Sequence, residues 1–129
     1  MSHSQETKKR VLIVEDDPLL LRVLSESFAE QGYEISSVEN GLEVMSAVKE
    51  FKPDLILLDL ILPGQDGFSL LKELKSETDF KDIPVIVVSN LGNEGDVKSC
   101  KTLGAEDYFI KANVEVDQII KRVEKVLHE

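Results

Sequence analysis

Leu55-Ile56-Leu57-Leu58-Asp59 is the stretch that decides the fold. Four consecutive large aliphatic residues leave no polar face, so a strand built from them must be covered on both sides, as strands inside a parallel sheet are. The run then stops at a carboxylate. Two further runs have this form: Val11-Leu12-Ile13-Val14, ended by Glu15-Asp16-Asp17, and Ile83 to Val88, ended by Ser89-Asn90. Tyr33 to Val38 and Tyr108-Phe109-Ile110 are weaker runs suited to sheet edges, and Lys111 ends the second of them.

Helical patterns fill the intervals. Asp17-Pro18 reads as an N-cap with proline at the first helical position, Leu20, Leu21, Leu24 and Phe28 give the buried stripe, and Gly32 closes the helix in a left-handed conformation. Asn40 with Glu43 resembles a capping box ahead of Val44, Ala47, Val48 and Phe51, with Pro53 as the stop. A third helix starts near Asp66-Gly67 and buries Leu70, Leu71 and Leu74. A fourth spans about Asp96 to Leu103, its entry loosened by Gly92 and Gly95. Val116, Ile119, Ile120, Val123, Val126 and Leu127 define the fifth. Five strand-helix units in strict alternation, joined by right-handed crossovers, give one parallel sheet with helices on both faces. A closed barrel needs about eight units. The expected class is therefore α/β, an open doubly wound five-stranded sheet.

Composition narrows the function. The chain has 129 residues, enough for one domain, with 15 Lys and Arg against 25 Asp and Glu for a formal charge of −10. Such a charge repels phosphates, which argues against direct nucleic-acid binding or docking on an anionic membrane. No apolar run approaches a membrane span, and the basic start around Lys8-Lys9-Arg10 has no apolar stretch behind it. A single cysteine, Cys100, excludes an internal disulfide framework and fits a reducing compartment, so a cytoplasmic protein is expected. We expect residues 1–8 to form a flexible tail and 9–129 the domain. His3 and His128 lie near the termini, so a phosphohistidine donor would come from another protein.

In open parallel sheets, ligands bind beyond the carboxyl ends of the strands, near the point where strand order reverses. The residues ending the apolar runs are thus the candidates. If the order is 2-1-3-4-5, Glu15, Asp16 and Asp59 share one cleft. Unit charges about 4 Å apart repel by roughly 4 kcal/mol at an effective dielectric near 20, so three carboxylates there would hold protons or a cation. All are hard oxygen donors with no His or Cys beside them, which selects Mg2+, or Mn2+, over zinc or copper. Asp59, alone after its strand, is the candidate nucleophile for phosphorus. Lys111 and Ser89 are placed to offset charge on phosphoryl oxygens. No Gly-rich nucleotide-binding loop is present.

These residues and their order resemble the receiver domains of bacterial two-component response regulators, of the stand-alone, single-domain type. The resemblance covers about residues 9 to 128. It rests on Val11 to Pro18, Asp54 to Gly64, Asp66-Gly67, Pro84 to Ser89 and Gly104 to Lys111. It implies a flavodoxin-like sheet of order 2-1-3-4-5, the order that a chemotaxis member of this family adopts. It further implies that Asp16 ligates the metal directly, Glu15 acts through water, and the Ile61 backbone carbonyl is another ligand. By the same resemblance Asp59 is phosphorylated by a partner histidine kinase or phosphotransfer protein. Ser89 is then the switch hydroxyl, Tyr108 the aromatic that changes rotamer with it, and Lys111 the phosphate-binding amine. Output would pass to a downstream protein through helix four, strand five and helix five, because the last helical pattern reaches the end of the chain; a homodimer on activation stays open. The protein would then be a switch rather than a turnover enzyme.

Two positions depart from the family pattern: Asn90 stands where alanine is common, and Ala112 stands where proline is usual. A trans Lys111–Ala112 bond is expected, since a cis non-proline bond costs about 2.5–4 kcal/mol. Ile61 and Leu91 occupy the positions that flank the hydrolytic water in this family, and neither side chain can orient it, so a long-lived phosphoryl group is expected. Two other readings remain: a receiver-like binding module that is never phosphorylated, and an aspartate-nucleophile phosphohydrolase. The hydrolase normally carries a second Asp two residues after the nucleophile, where this chain has Ile61.

Overall fold

The computed structural model describes residues 8–128. The expectation for the tail, and His3 with it, lies outside the described residues apart from Lys8, which is exposed. Five strands, β1 (Arg10–Val14), β2 (Glu34–Val38), β3 (Leu55–Leu58), β4 (Val85–Ser89) and β5 (Asp107–Ile110), alternate with five helices, α1 (Pro18–Glu30), α2 (Val44–Phe51), α3 (Gly67–Ser76), α4 (Glu94–Thr102) and α5 (Val116–His128). The strands form one parallel sheet, as the apolar runs imply, in the order β2-β1-β3-β4-β5, as the resemblance implies.

Alternation of side chains along each strand divides the core into two layers. Leu12, Val14, Ile56, Leu58, Val85 and Val87 meet Val44, Val48, Leu70, Leu71, Leu74 and Cys100 from α2, α3 and α4. Val11, Ile13, Leu55, Leu57, Ile86 and Val88 meet Leu24, Phe28, Ile119, Ile120 and Val123 from α1 and α5. Every residue of β3 is buried, which is why its sequence has no polar alternation. Truncating any of its leucines to alanine would cost about 2–5 kcal/mol, since each touches core on a face that cannot collapse freely.

Local signals account for most helix ends. Asp17 caps α1 by accepting from Leu19 and Leu20 N–H, Pro18 stands in its first turn, and Gly32 follows it at φ +90°, a conformation that disfavours side chains. Asp66 caps α3 by accepting from Ser69 N–H at 3.0 Å. Three expectations need correction. The second helix is entered through a 3-10 turn, Gly41–Glu43, and Glu43 bonds the Asn40 side-chain amide instead of the backbone N–H of a reciprocal capping box. Its end agrees with the expected stop at Pro53: Lys52 adopts φ 54° just ahead of it. α4 starts at Glu94, two residues earlier than expected, because Asn93 caps it: Asn93 Oδ1 accepts from Asp96 N–H at 2.8 Å. Tyr33 precedes β2 instead of opening it, and packs its ring edge-on against Phe28 with centroids 5.5 Å apart. No described helix is long and apolar enough to cross a membrane.

Candidate functional site

Strand register assembles the site. Val14, Leu58, Val87 and Tyr108 lie level across the four strands β1, β3, β4 and β5. One step beyond that row come Glu15 and Asp59, while Ser89 and then Lys111 lie further along their own strands. Backbone pairing continues past the strand ends and fixes both acids: Glu15 N–H donates to Val38 O and Asp59 N–H to Val14 O, each at 3.0 Å. The expected convergence is therefore present. Carboxylate oxygens of Glu15, Asp16 and Asp59 lie within 4.8 Å of one another.

Glu15 and Asp59 are 2% and 4% exposed, whereas Asp16 faces solvent. Burying charge is tolerated only with partners. Lys111 Nζ supplies them, lying 2.8 Å from Asp59 Oδ2 and 2.9 Å from the Glu15 carboxylate. Asp59 Oδ1 also accepts from Ile61 N–H at 3.1 Å, and Glu15 accepts from Asp17 N–H at 3.0 Å. Burial pushes the Glu15 carboxyl above its ordinary value, and the Lys111 and Asp17 hydrogen bonds only partly offset this. Burial works to lower Lys111, but hydrogen bonds to Asp59 and Glu15, with their charges, outweigh it and hold the ammonium above its ordinary value.

One ammonium against three carboxylates leaves two negative charges in the cleft without a cationic partner among the described residues. The donors are all oxygen, two are fixed by burial, and the third opens to water. That set fits a hard divalent cation, which keeps part of its water shell. The side chains can bind such an ion, and Asp59 has oxygen lone pairs left over after its two hydrogen bonds.

Ser89 is buried at the end of β4, and its hydroxyl accepts from Leu91 N–H at 3.3 Å. Tyr108 is turned inward, 9% exposed, with its hydroxyl donating to Leu91 O. Leu91 thus holds both hydroxyls through its backbone N–H and carbonyl, a role that its own side chain does not signal in the sequence. The Leu91 side chain itself packs against the core, while that of Ile61 is 54% exposed. Asn90 and Ala112 are exposed, and the Lys111–Ala112 peptide is trans as expected. Cys100 is buried, and burial pushes its thiol up to about 11, consistent with a core residue rather than a reactive thiol.

The phenols make a clean pH prediction, since the chain has two tyrosines and no tryptophan. Burial, followed by the charge of Glu124, raises Tyr33 above 10.0; burial raises Tyr108 to about 12. A phenol whose folded value is raised contributes stability below its unfolded value, and that contribution is lost as pH rises through the folded one. Tyrosinate absorbance of the folded chain should therefore lag behind that of the urea-unfolded chain, and the urea midpoint should fall between pH 10 and about 12. Tyr108→Phe should flatten part of that fall. Superimposable folded and unfolded titrations would contradict the buried placement of both rings.

Comparison with known proteins agrees with the geometry. Residues 11–124 match the family described as the response regulator receiver domain. PilH of Pseudomonas aeruginosa is 32% identical over 118 residues, spanning 92% of this chain and 97% of PilH. The polar-differentiation response regulator DivK of Brucella anthropi is 34% identical over 119 residues, spanning 92% and 96%. The chain spans about half the length of several longer relatives. Among solved structures, the Mn2+-bound form of response regulator Rcp1 superposes with a TM-score of 0.78 at 32% identity, covering 92% of this chain and 91% of that one. Similarity of this extent, carried on the same sheet order, places the chain in the response regulator receiver domain family of two-component signalling.

Proposed function

We propose that the protein is a phosphoacceptor switch in which Asp59 takes a phosphoryl group from a phosphohistidine of a sensor kinase or phosphotransfer protein. The observation that carries this reading is the position of Lys111 Nζ, 2.8 Å from one oxygen of Asp59, beside the exposed carboxylate of Asp16. An Asp59 oxygen attacks phosphorus, the P–N bond of the donor breaks, and the imidazole leaves with that electron pair and takes up a proton. Lys111 lies where it can follow the transferred oxygens, and the Ser89 hydroxyl can exchange Leu91 N–H for a phosphoryl oxygen. Glu15, Asp16, Asp59 and the Ile61 carbonyl would hold Mg2+, or Mn2+, which when bound neutralises charge on the phosphoryl oxygens. Loss of the Ser89 acceptor would free Leu91 N–H and loosen the β4–α4 segment, shifting the Leu91 carbonyl that holds Tyr108 and biasing the surface of α4, β5 and α5 toward a downstream protein. A stand-alone protein working in the cytoplasm, with no direct contact to nucleic acid or membrane, fits this reading.

Incubation with acetyl phosphate and Mg2+, read by intact-protein mass spectrometry, should add one phosphoryl group, and chelation should prevent it. No label under these conditions would favour a binding module, and steady turnover of a general phosphatase substrate would favour a hydrolase. Because Ile61 is apolar and exposed beside Asp59, it cannot orient water there. The label should persist, and Ile61→Asn should shorten its half-life by about tenfold, below the 10²–10⁴-fold range of full general acid–base assistance because an amide only positions the water. Loss of the wild-type label within seconds would contradict the role given to Ile61.

A further inference from the structure

We infer that the turn between β2 and α2 is a positioning element for the phosphorylation site, acting through Gly41 on the segment that follows Asp59. The inference rests on the phosphoacceptor reading of that site. Gly41 N–H donates to Pro63 O at 2.8 Å, and the same carbonyl accepts from Gln65 N–H at 3.2 Å. The approach is backbone to backbone: a Cβ at Gly41 would overlap the Gln65 carbonyl oxygen and lie 2.8 Å from Gln65 N. Leu42, 74% exposed, lies over Gly64, where an added Cβ would come within 2.9 Å of Leu42 Cγ. The far end of the segment is anchored separately, with Gly67 N–H donating to Leu60 O at 2.9 Å. Between these anchors lies Ile61, whose N–H holds Asp59 Oδ1 and whose carbonyl is the backbone ligand of the proposed site. The β2–α2 turn, with Gly41 buried and Leu42 exposed, therefore sets where that carbonyl and that carboxylate oxygen stand, although no residue of the turn is among the site residues.

Three variants test this, each measured for Mn2+ affinity by the electron paramagnetic resonance of free ion and for the rate of labelling by acetyl phosphate. Gly41→Ala forces Pro63–Gln65 to move and should weaken Mn2+ binding and slow labelling by about tenfold each, the lower end of what displaced outer-shell support costs a metal site. Leu42→Ala removes only packing on Gly64, keeps the fold, and should weaken Mn2+ binding by about threefold, below that range because the backbone clasp remains. Gly32→Ala is the control for general destabilisation: it strains a positive φ away from the strand ends that build the site, with open space around the added Cβ, and should lower the melting temperature with Mn2+ affinity unchanged. Wild-type affinity in folded Gly41→Ala and Leu42→Ala overturns the inference, as does an equal loss in Gly32→Ala. If Gly41→Ala does not fold, Leu42→Ala decides by the same criterion. A wild type that binds no Mn2+ overturns the reading of the site itself, and this inference with it.

Discussion

Asp59→Asn should lose the phosphoryl label completely while keeping its circular dichroism and its Cys100 buried. The amide is no nucleophile toward phosphorus near neutral pH, yet its shape matches the carboxylate, and its oxygen can still accept from Ile61 N–H. Lys111 keeps Glu15 as a partner at 2.9 Å, so the ammonium is not stranded. Removing one of three crowded carboxylates relieves repulsion while giving up one ion pair, and these effects are each on the order of a few kcal/mol and opposite in sign. The fold should therefore tolerate the change within about 1 kcal/mol, the scale of an average substitution. The measurement is intact mass after acetyl phosphate and Mg2+, followed by peptide mapping of the wild-type label. Equal labelling of the variant would move the acceptor to Asp16 or Glu15 and overturn the mechanism.

Lys111→Met should be the most destabilising change at the site. It leaves two carboxylates, 3% and 4% exposed as side chains, without their shared cation. Breaking a buried pair by removing one partner costs about 3–5 kcal/mol, since the charge left behind stays desolvated, and little solvent screening is available here to reduce it. The deficit would appear as a fall in the urea midpoint at neutral pH. Mg2+ should restore stability to the variant by a larger increment than to the wild type, because the cleft then holds one more uncompensated negative charge for the ion to meet. Equal increments in the two proteins would show that Lys111 and the ion do not share the cleft. The label should also form far more slowly, because among the described residues Lys111 is the only side-chain cation paired with Asp59.

How much of this is legible in the sequence differs by element. β3 and the ends of β1 and β4 can be read directly, because full burial on both faces forces an unbroken apolar run, and the buried Glu15, Asp59 and Ser89 mark where the apolar cover gives way to the polar site. β2 is blurred: it pairs on one side only, and Ser36 and Ser37 are acceptable there because an edge strand is partly open to water. Strand order comes from the resemblance, since no residue pattern states which strands are neighbours. The start of α4 is read two residues late when Gly95 outweighs the Asn93 cap, which satisfies Asp96 N–H and makes a glycine in the first turn tolerable. Contacts made by backbone are invisible. Gly41 against Gln65 and Leu91 between Ser89 and Tyr108 depend on how segments cross, and neither Gly41 nor Leu91 contributes a side-chain group that would announce it. Lys75 on α3, not among the residues singled out from the sequence, donates its ammonium to Lys81 O and Ile83 O in the segment leading to β4.

The proposed mechanism requires Glu15, Asp16 and Asp59 to share one divalent ion at the carboxyl ends of β1 and β3. Paramagnetic broadening of backbone amide signals by substoichiometric Mn2+ tests it most directly, because the effect falls steeply with distance from the ion. Broadening should centre on the amides of Glu15 to Asp17 and Asp59 to Ile61, extend to Ser89 and Lys111, and spare Gly32 and the far end of α1. Broadening centred on another acidic stretch, or spread evenly over the exposed carboxylates, would contradict it.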